Sequence, residues 1–257
     1  MSELRFSIDS KKFIDTLNLI TLKGKYPTGI SHKMKSLSDY VYIVGNEDNL
    51  EFYNADNTAS CSYKIPVGED IEVIVAGESI LDIPKTIKYL KTFSGTVNVF
   101  VEDFVTLTTA NKVAKIPYVL THPCYAMIEH IRYLKIPTDG TMPIFGKNNT
   151  KFEAQITLEA DALLDAAHSC EVIGKGRYLL DFNGETFTMS SPQDGIEGIA
   201  IEVPILAHSG EEATVELAGP FAQFFKGPMA VFLKDDFPAL FISPRRMLIK
   251  APRITGR

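Results

Sequence analysis

Lys85, Lys88 and Lys91 recur at every third position of one short stretch, and Lys11 and Lys12, with Lys23 and Lys25 beyond them, crowd another. Ammonium groups along one helical face meet phosphate oxygens without reading bases, the chemistry of sequence-blind contact with a nucleic-acid backbone. On a single helix such a row is ordinarily a solvated face, and the pattern gains weight because two stretches share it. Other constellations carry less. His122, Cys124 and His130 could ligate zinc, but their spacing fits no standard finger and a fourth ligand is missing. Gly174-Lys175-Gly176 lacks the earlier glycine and the following Ser or Thr of a phosphate loop, and reads as a helix end followed by a turn. The neighbouring acids Asp235-Asp236 and Glu211-Glu212 fall at turns, where carboxylates are solvated rather than paired for acid–base work. No Gly-x-Ser-x-Gly elbow, His-Glu-x-x-His or Gly-x-Gly-x-x-Gly before a helix is present. The expectation is a binding protein with no catalytic residue, metal or cofactor.

The chain of 257 residues holds 26 basic and 32 acidic side chains, a net charge of −6, with 45% apolar residues. That apolar share supports a real core and excludes a disordered chain. Global acidity argues against a simple nucleic-acid binder, unless position matters more than the sum. The odd, widely spaced Cys61, Cys124 and Cys170 suit free thiols in a reducing compartment. The N-terminal Met-Ser-Glu-Leu-Arg-Phe shows no basic segment followed by an apolar core. No apolar run approaches the ~18–20 residues of a membrane helix. An intracellular, non-secreted protein that does not engage a membrane is expected, in the cytoplasm or nucleoid, or in the nucleus of a host.

The elements that must position the lysines are mostly strands. Period-two alternation marks residues 4–8, 40–44, 50–53, 60–67, 71–75, 97–101 and 105–115, then 152–158, 178–182, 186–190, 198–203, 214–217, 229–233, 239–242 and 247–250. Asn183-Gly184 between two runs signals a hairpin. Helical spacing predicts a helix over 10–22, with Phe13, Leu17 and Ile20 inward and Ser10 as cap. A second, over 82–93, turns Ile83, Ile87 and Leu90 inward with Pro84 in its first turn. A third spans 159–173, a short turn 221–226, and a short helix is possible over 125–134. The order of elements repeats, and Val99-Phe-Val-Glu-Asp-Phe104 is echoed by Val231-Phe-Leu-Lys-Asp-Asp-Phe237, 132 residues later. An internal duplication follows: an α+β chain with domains 1–118 and 151–257 joined by a proline-rich linker, 119–150.

With this duplicated order, the linker and the closing Leu248-Ile-Lys-Ala-Pro-Arg-Ile254, the chain resembles the DNA sliding clamps of the proliferating cell nuclear antigen family. Ala251-Pro252-Arg253-Ile254 resembles that family's terminal motif, and Pro238-Ala-Leu-Phe-Ile242 the strand before it. Asn49-Leu-Glu-Phe-Tyr-Asn-Ala-Asp56 is similar to another strand of the family, with Ala55 where methionine is usual. The resemblance implies two duplicated clamp domains, helices lining an inner face and antiparallel sheets outside, and three subunits closing around duplex DNA. It implies inner-face residues Lys11, Lys12, Lys85, Lys88, Lys91, His168, Lys175, Arg177 and Lys226. It implies a pocket for short peptides of polymerase, clamp loader, nuclease and ligase at Ala55, Ile136, Met142, Pro143, Ile144, Pro238, Ile249, Ala251 and Pro252. It implies a subunit contact between the strand 106–115 (Thr106, Thr108, Ala110, Val113, Lys115) and 198–203 (Gly198, Ala200, Ile201, Val203). The third helix, with Glu159, Asp161, Asp165 and Glu171, is acidic where the family is basic. The function implied is a processivity factor, most simply a homotrimer used in replication and repair. A hetero-ring or damage-signalling subunit, a monomeric DNA-binding accessory protein and a β-rich enzyme are the alternatives.

Overall fold

The computed structural model describes residues 3–22, 37–137, 141–146, 149–174, 176–191 and 198–253. Lys23, Lys25 and Lys175 lie outside the described residues. Two compact units divide the chain, one of described residues 3–21 and 37–129, the other of Leu22 and the described residues within 130–253.

In the first unit β1 (Leu4–Asp9) buries Leu4, Phe6 and Ile8 and runs directly into α1 (Ser10–Ile20). The cap is Asp9, not Ser10: its carboxylate accepts the backbone N–H groups of Lys11 and Lys12, both at 3.0 Å. Phe13, Leu17 and Ile20 face inward as expected, and the Phe13 ring meets Phe6 edge-on at 5.7 Å and Phe52 at 6.1 Å. Strands β2 (Tyr40–Gly45), β3 (Asn49–Ala55), β4 (Ala59–Pro66), β5 (Ile71–Val75) and β6 (Gly77–Asp82) follow. Next come α2 (Ile83–Leu90), β7 (Thr96–Val101), β8 (Phe104–Thr109) and β9 (Lys112–Pro117). Asp82 caps α2 through the Lys85 N–H at 2.9 Å, and Pro84 sits in the first turn, where its missing N–H costs nothing. The buried face of α2 is Ile83, Thr86 and Leu90 rather than Ile83, Ile87 and Leu90, since the Thr86 hydroxyl is satisfied by the Asp82 carbonyl at 2.6 Å. The strands form antiparallel sheets ordered β5-β1-β7-β8-β9 and β4-β3-β2-β6. The run 105–115, expected as one strand, is a hairpin turning at Ala110-Asn111.

The linker carries α3 (Tyr125–Arg132), with Ile128 and Ile131 buried, and the small hairpin β10 (Ile144–Phe145) and β11 (Thr150–Lys151). The second unit then repeats the first. Its order is β12 (Ala154–Glu159), α4 (Ala160–Gly174), β13 (Arg177–Phe182), β14 (Phe187–Ser190), β15 (Ala200–Val203), β16 (Ile205–Gly210) and β17 (Ala213–Ala218). A 3-10 turn at Ala222–Phe224, β18 (Pro228–Leu233), β19 (Ala239–Ser243) and β20 (Arg246–Lys250) complete it. Its strands run β16-β12-β18-β19-β20 and β15-β14-β13-β17, matching the first unit strand for strand. The register matches too. Phe6 pairs with Val99, and Ile156 pairs with Val231, 132 residues further on. Both edge pairings carry an irregularity in the first strand, between Arg5 and Phe6 in one unit and, two residues further along, between Thr157 and Leu158 in the other. Asn183 and Gly184 do turn a hairpin, with a four-residue loop: the Asn183 side chain accepts the N–H of Glu185 at 3.0 Å and of Thr186 at 2.8 Å.

His122 fastens the start of the linker to the first unit. It is buried, its Nδ1 accepts the Cys124 N–H at 3.0 Å, and its Nε2 lies 3.1 Å from the Tyr40 carbonyl, which fixes Nε2 as the protonated nitrogen. Burial lowers its pKa, and the Tyr40 carbonyl offsets this only in part. A His with a lowered folded pKa stabilises fully above its unfolded value near 6.5, and that stability is lost as pH falls through and below 6.5. His122→Phe keeps the ring but orphans both backbone partners. It is expected to cost about 1–3 kcal/mol at pH 7.5. It is also expected to flatten the drop in melting temperature between pH 7.5 and 5.5; an unchanged pH dependence would assign that drop to other groups.

Candidate nucleic-acid and partner interfaces

The sequence-expected lysines of the first unit lie on two neighbouring helices, α1 and α2. Lys11, Lys85, Lys88 and Lys91 are exposed and Lys12 is half-buried. Two of them are partly committed. Lys12 donates to the Glu69 carbonyl and stands 3.4 Å from Asp70, and Lys85 pairs with its own cap Asp82 at 3.1 Å. Exposed pairs of this kind are worth under about 1 kcal/mol and yield readily to a phosphate. In the second unit His168 is half-buried on α4 and Lys226 is exposed after the 3-10 turn. The Arg177 guanidinium lies on Glu216, with Nε at 3.2 Å and Nη2 at 3.0 Å, which commits it to a contact between β13 and β17.

The expected peptide-pocket residues of the second unit gather at one end of its five-stranded sheet. Ala239 pairs with Lys250 at that end, which brings Pro238 beside the half-buried Ala251 and Pro252, while Ile249 is buried. The linker folds onto the same end. Ile144 bridges to Lys135 and leaves Ile136 exposed between them, and Pro143 is buried. The Met142 methyl would lie 3.0 Å from a Cβ on Gly210, and the Phe145 ring meets Phe237 edge-on at 5.5 Å and His130 at 5.7 Å. Phe237 in turn meets Phe152 at 5.7 Å. Phe145 and Phe237, absent from the sequence expectation, therefore fix the linker hairpin; their only sequence signal is an aromatic on each side of a turn. Ala55 is fully buried at the end of β3 in the first unit.

Among the expected subunit-contact residues, Thr106 and Thr108 lie on β8, which is interior to its sheet, and Ala110 lies in the turn. The edge strand is β9, where Val113 is 64% exposed and Lys112 and Lys115 are exposed. Lys115 stands over the exposed Phe104 ring at 5.8 Å. In the second unit β15 is an edge strand carrying exposed Ala200, half-buried Ile201 and buried Val203, with exposed Gly198 just before it. Beside it α4 and β15 frame a groove of about 330 Å³, lined by Ala162, Ala166, Ile199, Ile201, Val203 and Pro204 with Asp165, Ser169 and Glu202. One edge is thus apolar and basic, the other apolar and acidic, and among the described residues no further strand pairs with either. Lys112, Phe104 and Glu202 were not singled out in the sequence: Lys112 reaches an edge only because 105–115 folds into a hairpin, Phe104 lies on interior β8 with its ring exposed, and Glu202 lies on the edge strand β15.

Burial disfavours the thiolate form of two of the three cysteines. Cys170 is buried and its pKa is pushed up to about 11, by burial first and Glu171 second. Burial and then Asp56 raise that of Cys124. Among the described residues no group of His, Cys, Asp or Glu is placed to hold a metal ion, and no helix is long and apolar enough to cross a membrane.

No protein-family model matches the chain, and no curated protein matches it in sequence. Solved structures do. A. fulgidus PCNA, solved with the C-terminal region of FEN-1, superposes with a TM-score of 0.67 at 16% identity over 99% of this chain and 100% of its own. The PCNA2–PCNA3 complex of Sulfolobus tokodaii matches with a TM-score of 0.65 at 15% identity over 97% of this chain and 99% of its own. The DNA polymerase III β subunit of Thermotoga maritima gives 0.68 at 13% identity over 100% of this chain and 67% of its own. At such identities the likeness speaks to architecture, and it spans both units together with the linker. The chain has the sliding-clamp fold of the PCNA type.

Proposed function

We propose that the protein is a DNA polymerase processivity factor without catalytic activity, a clamp that closes with two further copies into a ring around duplex DNA inside the cell. In this reading residues 119–150 connect clamp domains 1–118 and 151–257. The exposed lysines of α1 and α2 ride on phosphates without reading sequence, and the linker side of the second unit docks short peptides of polymerase, clamp loader, nuclease or ligase. The observation that carries the reading is the strand-for-strand duplication of a clamp unit, with a basic helix pair in its first copy. Net charge of −6 agrees with it, because topological linkage needs only weak contact, and an acidic remainder keeps DNA from the wrong surface. The apolar, basic β9 edge and the apolar, acidic β15 edge support head-to-tail assembly, which uses two different surfaces and closes into a ring when the rotation allows.

Lys88→Glu with Lys91→Glu tests the DNA surface. Neither lysine has an acidic partner among the described residues, so the fold is expected to melt as the parent does. DNA association at about 50 mM salt is expected to weaken roughly tenfold, with a shallower dependence on salt. Unchanged affinity in a folded double variant would remove α2 from the DNA surface.

A further inference from the structure

We infer that each copy holds the phosphate backbone chiefly through its first unit, and that Asp161 turns the corresponding helix of the second unit into a face that repels DNA. The inference rests on the clamp reading above and specifies which half of the chain does the holding. The strand register supplies the correspondence. Phe6 and Ile156 occupy the same place in their sheets, and each strand runs without a break into its helix, so α1 and α4 align residue by residue. Lys11 then corresponds to Asp161, Lys12 to Ala162, Asp15 to Asp165 and Asn18 to His168. The exposed lysine at the start of α1 is replaced by an exposed aspartate, and the half-buried lysine after it by a half-buried alanine. Asp15 and Asp165 are the same in both units, so they do not distinguish them.

The second helix differs by deletion. Thirteen residues, 83–95, separate β6 from β7 and hold α2 with Lys85, Lys88 and Lys91. Nine residues, 219–227, separate β17 from β18 and hold only the 3-10 turn. Four residues are about one helical turn, and with that turn the lysine face is gone, leaving Lys226. Its place is taken by packing. Phe221 and Phe224 are fully buried, and Phe221 meets Tyr178 at 5.0 Å and Phe241 at 5.2 Å. Of the other cations near this surface, Arg177 is held by Glu216. The one-sided distribution therefore has two independent sources, a reversal at the start of one helix and a lost turn at the other.

Asp161→Lys restores in the second unit the charge that Lys11 supplies in the first, and lies outside the groove lined by Asp165. The assay is binding of the full chain to a duplex of mixed sequence across a salt series, with Asp161→Asn as the milder variant should lysine in the first turn disturb the helix. Asp161→Lys is expected to tighten binding about three- to tenfold at 50 mM salt and to steepen the log–log salt slope by about one. Asp161→Asn should tighten it less, and Lys11→Asp should weaken it. If the folded Asp161 variants match the parent in affinity and slope while Lys11→Asp and the Lys88/Lys91 reversal weaken binding, the repelling face is overturned and the clamp reading stands. If none of these variants changes binding, the DNA surface itself is misassigned.

Discussion

A Val113→Glu protein is expected to run as single chains under conditions in which the parent assembles. Val113 lies on the free edge of β9, more than half exposed, between Lys112 and Lys115. In the proposed ring it enters the groove between α4 and β15 of the next copy, where Ala162, Ala166, Ile201 and Val203 offer apolar contact and Asp165 and Glu202 stand at hand. A glutamate there loses the apolar contact and sets a third carboxylate against two others, a juxtaposition that costs several kcal/mol. At about 3 kcal/mol per contact the dissociation constant rises more than a hundredfold. Light scattering should then move from about 86 kDa, three times the 28.5 kDa chain, to one chain mass. Circular dichroism and melting separate this from unfolding, since an exposed edge residue carries little of the core. Val113→Thr, similar in shape and uncharged, should retain assembly. A parent that is a single chain at micromolar concentration would contradict the ring before any variant is made.

Gly210→Ala is expected to damage the second unit far more than Gly184→Ala, although both glycines have positive φ, +96° and +93°. At Gly184 an added Cβ meets open space, so only the left-handed backbone strain is felt, about 1–2 kcal/mol. At Gly210 the Cβ would stand 2.0 Å from the Glu153 carbonyl oxygen, which is backbone and already accepts the Glu211 N–H at 2.8 Å. The end of β16 has to leave β12, breaking the Ala154–Gly210 pairing and removing the surface on which Met142 rests. A cost of about 3 kcal/mol and a melting temperature lower by roughly 10 °C are expected for that unit, by calorimetry. Equal melting of the two variants would show that the linker end of the sheet gives way without penalty.

Where a residue has a buried face, the sequence was readable. Leu4, Phe6 and Ile8 alternate because one side of β1 is core, and Phe13, Leu17 and Ile20 mark α1 for the same reason. The duplication was visible at β7 and β18, whose inward residues carry the echo. β16 left no such trace: five of its six residues are exposed, so no alternation exists to be read. β6 was missed because Ser79, Ile80 and Leu81 are buried in succession. The 105–115 run read as one strand because Val105 and Leu107 open it with period-two alternation and the turn at Ala110-Asn111 has neither glycine nor proline. At the candidate surfaces residue type was legible and commitment was not. Lys11, Lys88 and Lys91 stand exposed as their spacing suggested. The hold of Asp70 on Lys12 and of Glu216 on Arg177 depends on chain segments 58 and 39 residues away, which no local pattern reports.

The central claim is that the assembled protein encircles DNA rather than resting on it. The direct measurement is the lifetime of the protein on a linear duplex whose ends are capped by bulky blocks after binding, before and after one end is freed by cutting. A ring is expected to stay on capped DNA at salt concentrations that abolish simple phosphate contact, and to leave when an end is opened. The same lifetime with ends capped and ends open would contradict it.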